Sequence, residues 1–131
     1  MNNLIFVVVG IVGLFLLFQL IMKFKSWSRR GKEAPKVGGA LGKAILKGEK
    51  TIAYFYSPTC RACKTQEKYL PSVQNKVNNI FRINAAKERE TATAFGVMGT
   101  PTTVIIEAGI IKDYFVGITP ASKMLSSLGV N

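Results

Sequence analysis

The 131-residue chain contains no histidine, only two cysteines, and seven carboxylate side chains against 18 Lys and Arg. Without imidazole there is no Ser-His-Asp or Cys-His nucleophile pair and no His-ligated zinc. Two thiols are too few to complete a four-thiolate zinc or iron–sulfur site within one chain, and too few to staple a disulfide-rich mini-protein. A redox pair, a single structural disulfide or two inert thiols stay open. No Gly-rich phosphate loop or paired carboxylate stands out, so no cofactor is expected beyond what the two cysteines form, and no metal. The length allows one small domain.

Charge is also missing locally. From Leu4 to Met22 there is no charged residue, and Gln19 is the only one that is neither apolar nor Gly. As a helix this run is about 28 Å long, enough to cross the hydrocarbon layer. Gly10 and Gly13 do not make the Gly-x-x-x-Gly spacing of a helix-dimerising face. A cleaved signal peptide would need a basic start, a shorter apolar core and a small-residue cleavage site; Met1-Asn2-Asn3 has no basic side chain, and the run ends in Met22-Lys23-Phe24-Lys25. A retained transmembrane anchor is the expectation. Lys23, Lys25, Arg29, Arg30, Lys32 and Lys36 follow it, offset by Glu33. Residues 1–50 carry nine basic and two acidic side chains, and residues 51–131 nine and five. Under the positive-inside rule this asymmetry puts the N-terminus outside and the rest of the chain on the cytoplasmic side, the alternative being an exported domain. Trp27 suits the headgroup level, and the basic cluster suits anionic lipid. Nucleic-acid binding is not expected, because the charge tracks the apolar helix and no basic face interleaved with aromatics follows.

Three parts result: a transmembrane anchor over 1–22, a basic juxtamembrane linker with a short helix over 23–47, and a folded domain over 48–131. Lys32 to Gly39, with Pro35 and two glycines, is expected to be extended or turn-like, and Ala40 to Lys47 a short helix. Strands are expected at Thr51–Tyr56, Ile80–Asn84, Thr102–Glu107 and Ile110–Val116, the last two joined by an Ala108-Gly109 hairpin. Helices are expected from Cys60 to Val77, bent at Pro71, from Glu88 to Phe95, closed by Gly96, and from Pro120 to Leu128. This order suits an α/β fold, a four-stranded mixed sheet covered by helices on both faces.

Cys60-Arg61-Ala62-Cys63 follows a strand and opens a helix, where residues i and i+3 share a face and can close a disulfide. The helix N-terminus, together with Arg61 and Lys64, stabilises a thiolate at Cys60. Cys60 is then the nucleophile and Cys63 the resolving thiol. Half of a zinc site shared between two chains and a pair of inert thiols are the bland alternatives.

With these residues in view, the chain from about 48 to 131 resembles the thioredoxin family. The resemblance rests on Tyr54-Phe55-Tyr56-Ser57-Pro58-Thr59-Cys60-Arg61-Ala62-Cys63-Lys64, on Val97-Met98-Gly99-Thr100-Pro101-Thr102, and on Val116-Gly117. It implies that Pro101 is cis beside the disulfide and that the backbone of Thr100 pairs with an extended substrate segment. Tyr56 and Met98 are candidates for an apolar substrate groove. The chain departs from the family pattern in having Thr59 for the Trp before the nucleophile, Ala62 for the Pro between the cysteines, and Tyr54 for the buried Asp six residues before Cys60. The first strand of the full-length fold is missing. The resulting expectation is a membrane-tethered thiol–disulfide oxidoreductase in the lipid bilayer, acting on membrane-associated protein dithiols and disulfides and served by a redox partner protein. The alternative is a non-catalytic thioredoxin-fold scaffold or assembly subunit of a membrane complex.

Overall fold

A computed structural model describes residues 1–28, 30–77 and 79–129, with the side chains of 25–28 set aside. The expectations placed on Lys25, Trp27 and Arg29 therefore lie outside what is described. The charge-free run forms helix α1 (Asn2–Ser28), of which Asn2–Phe24 is long and apolar enough to cross a membrane and none is buried against the protein. After it come α2 (Gly39–Leu46), β1 (Thr51–Tyr56), α3 (Arg61–Glu67), α4 (Leu70–Gln74), β2 (Asn79–Asn84), α5 (Arg89–Ala94), β3 (Thr102–Glu107), β4 (Ile110–Val116) and α6 (Ala121–Ser127).

The strands lie in the order β2-β1-β3-β4, with β1 parallel to β2 and antiparallel to β3, and β3 antiparallel to β4. This is a thioredoxin-like mixed sheet. The central strand β1 reads as an unbroken apolar run because both of its faces are covered. Alternation then sends Ala53 and Phe55 to one side, among Leu41, Ile45, Phe95 and Val104, and Ile52 and Tyr54 to the other, among Leu70, Val73, Ile105 and Met124. The core thus draws on α2 as well as on the residues after Thr51. Gly42 is fixed by this packing, since a Cβ there would collide with the Val37 carbonyl. Ala108 and Gly109, at φ 55° and 74°, make the two-residue turn that matches the twist of a β3–β4 hairpin.

The helix expected to bend at Pro71 is in fact two helices. α3 ends at Glu67, and Pro71 sits in the first turn of α4, where its missing N–H costs nothing. A second difference concerns the extended connector. Gly31 N–H donates to Ile111 O (2.8 Å), Ile111 N–H to Lys32 O (2.9 Å) and Ala34 N–H to Gly109 O (2.9 Å), so residues 31–34 run antiparallel along the outer edge of β4. Arg30 enters this edge through a 2.8 Å ion pair with Asp113, its guanidinium lying 6.0 Å from the Phe115 ring centre.

Candidate redox site

The site is assembled at the C-terminal end of β1. Cys60 N–H donates to Ser57 O at 3.1 Å, which closes the turn Ser57-Pro58-Thr59 and delivers Cys60 to the N-cap of α3. Cys60 and Cys63 are disulfide-bonded with Cα atoms 5.3 Å apart, and the backbone N–H of Cys63 donates to Cys60 Sγ at 3.1 Å. Cys60 is partly exposed and Cys63 buried, an asymmetry that leaves one sulfur open to attack from outside. Arg61 and Lys64 both point to solvent on the first turns of α3.

Behind the pair stands Tyr54. Its ring is fully buried and its hydroxyl donates to the carbonyl of Cys63 at 3.2 Å. Burial, with Glu67 adding to it, pushes the Tyr54 phenol up to about 12, so it is a neutral donor across the physiological range. A neutral phenol occupies the place where the family pattern has a buried carboxylate. Tyr56 stacks on Tyr54, ring centres 5.9 Å apart.

The second wall is the turn before β3. The Thr100–Pro101 peptide is cis. Thr102 Oγ1 donates to Gly99 O at 2.6 Å, and Gly117 N–H donates to Pro101 O at 2.8 Å, so the end of β4 is tied to the proline turn. A shallow groove beside the redox turn is lined by Ser57, Ala86, Arg89, Met98 and Thr100. It brings Met98 and Thr100 beside Ser57 of the redox turn; Cys60, Cys63 and Pro101 do not line it, and Tyr56 belongs to the other side of β1.

Sequence reasoning missed one connection. Gln66, completely buried on α3, donates through Nε2 to Thr119 O (2.9 Å) and accepts from Thr119 N–H through Oε1 (2.6 Å). Both polar ends of the amide are satisfied by one residue 53 positions away, which locks the cysteine helix to the segment after β4. The only signal in the sequence was a Gln at an apolar position of the helical pattern.

The comparisons agree with this geometry. The thioredoxin family model matches residues 36–129. The thioredoxin of Bacillus subtilis is 29% identical over 76 residues, covering 56% of this chain and 73% of its own. That of Mycoplasma pneumoniae is 24% identical over 87 residues, covering 65% and 85%. The X-ray structure of Fasciola hepatica thioredoxin superposes with a TM-score of 0.60 at 20% identity, over 68% of this chain and 88% of that one. With a dithiol pair at disulfide distance on the helix after β1, this chain belongs to the thioredoxin family and is a thioredoxin-like disulfide oxidoreductase.

Proposed function

We propose that the protein is a membrane-tethered oxidoreductase that exchanges disulfides with protein substrates near the bilayer. The observation that carries the chemistry is the partly exposed Cys60 capping α3 with Cys63 buried behind it. In the reduced state, the Cys63 N–H and the basic Arg61 and Lys64 favour a thiolate at Cys60. That thiolate attacks one sulfur of a substrate disulfide. A Cys60–substrate bond forms, and the displaced substrate sulfur takes up a proton. The Cys63 thiolate then attacks Cys60 Sγ, reforming the disulfide and releasing the second substrate thiol, so that two electrons have passed to the substrate. Run backwards, the same steps oxidise a dithiol. The backbone of Thr100 pairs with the substrate strand beside Pro101, while Met98 and Tyr56 supply apolar surface on either side. No cofactor is required beyond the Cys60–Cys63 pair, and a partner protein resets it.

Tethering is supported by the exposed apolar helix Asn2–Phe24, and the cytoplasmic placement of the domain by the basic residues after it. On that side the expected direction is substrate reduction. Insulin reduction with dithiothreitol by the full chain in nanodiscs is the test of the chemistry. Wild-type protein is expected to accelerate it and Cys60→Ser to return it to the uncatalysed rate. Equal rates for the two would replace the enzyme with a scaffold.

A further inference from the structure

We infer that the redox end of the domain faces the bilayer, so that its substrates are cysteines in juxtamembrane segments of integral membrane proteins. This rests on the tethered-oxidoreductase reading above. The connector fixes the geometry. Arg30 meets Asp113 and Phe115, residues 31–32 meet Ile111, and Ala34 meets Gly109, so the chain leaving α1 joins β4 at its Val116 end and runs toward the hairpin. The Val116 end is the redox end, since Gly117 is bonded to Pro101 and Thr119 to Gln66 of the cysteine helix. The last turns of the apolar helix are seated there. Met22, Lys23 and Arg30 form one wall of a cleft whose other wall is Phe115, Val116 and Ile118.

Depth follows from this contact. The membrane-length segment stops at Phe24, so a residue packed beside Lys23 lies at the headgroup level. Val116 and Ile118 remain about half exposed at this end (48% and 47%), and Met98 is 67% exposed. Around them stand Lys23, Lys123 over the Phe115 ring, and the exposed Arg61 and Lys64, a basic rim suited to anionic headgroups. Asp113, beside the cleft, is taken up by Arg30 and Ser127, while on the Met98 side the exposed Glu88 and Glu90 flank Arg89. With its apolar rim beside the lipid, Cys60 is aimed along the membrane surface. A cysteine carried next to a transmembrane segment meets it at high effective concentration, and one held far from the surface does not.

The experiment uses the full chain in nanodiscs of mixed phosphatidylcholine and phosphatidylglycerol. With Cys60–Cys63 kept oxidised, Ile118→Cys and Leu46→Cys each take a bimane label, Leu46 lying at the opposite end of the sheet. Headgroup-nitroxide lipid is expected to quench the label at 118 and spare the one at 46; equal or reversed quenching overturns the orientation. Exchange is then followed on two transmembrane peptides bearing the same disulfide, one directly beside the apolar segment and one beyond a long Gly-Ser spacer, with insulin as the soluble control. The near disulfide is expected to react about tenfold faster than the far one. A flexible Gly-Ser insertion between Phe24 and Arg30 is expected to erase that preference while insulin reduction is kept. Equal near and far rates with insulin still reduced overturn this inference and leave the exchange reading standing. No reaction with insulin removes the exchange reading, and this one with it.

Discussion

Helix α1 and strand β1 are both apolar runs, yet α1 is exposed along nearly all of its apolar length and β1 is enclosed on both faces. Phe6, Leu14 and Phe18 of α1 are more than half exposed, whereas Ile52 through Phe55 of β1 are completely covered. Burying a Leu or Phe is worth about 1.5–3 kcal/mol, so β1 draws its stability from within the fold while α1 leaves tens of kcal/mol for a phase outside the chain. Apolar composition alone therefore says nothing about where a segment will find its partner. Length and context separate the two: six residues bounded by Lys50 and the Ser57-Pro58 turn, against 23 residues ending at basic side chains.

The contrast can be broken most severely by deleting residues 2–22. Sedimentation with membranes should be lost entirely while the thermal unfolding of the remaining domain is unchanged; a large fall in its melting temperature would mean that α1 is a core element after all. A matched pair of truncations comes next. Phe55→Ala should cost about 3–5 kcal/mol in denaturant unfolding because the hole lies against Phe95 in a closed core. Phe15→Ala, at a side chain that the folded domain leaves exposed, should stay within about 0.5 kcal/mol.

A smaller effect is expected at Tyr54. Removing its hydroxyl in Tyr54→Phe strips the buried Cys63 carbonyl of a donor, at about 1–3 kcal/mol. The pH dependence has a defined sign. A phenol held protonated in the fold contributes fully below its ordinary value near 10, and that contribution is lost as pH rises toward about 12. Unfolding curves of the wild type should therefore show an alkaline fall between those values that is absent in Tyr54→Phe. The smallest change is expected from Arg30→Ala. The pair with Asp113 is partly solvated, worth about 0.2–1 kcal/mol, and chemical denaturation should barely register its loss.

Much of this was legible in the sequence because strands announce themselves. Thr51–Tyr56, Thr102–Glu107 and Ile110–Val116 have the bounds expected from β-branched runs between turn residues, and Asn79 extends the remaining strand by one. The cysteine turn was legible for the same reason, a strand followed by a helix start. The cis bond before Pro101 could be expected only through the family resemblance. What could not be read were interactions made by backbone or over long separations. The pairing of residues 31–34 with β4 uses main-chain groups, which leave no side-chain pattern, and the Gln66–Thr119 bridge spans 53 positions. The break before Pro71 reads as a bend in one helix because the apolar spacing carries on past it, from Tyr69 and Leu70 to Val73.

The strand-like connector has one further consequence. An outer strand such as β4 exposes a row of unpaired N–H and C=O groups on which another chain can build. Edge-to-edge addition between copies is the hazard that such a row carries. Gly31, Lys32 and Ala34 occupy part of that row from within the same molecule. The segment that leads from α1 into the fold thus shortens the free edge on which another copy could build.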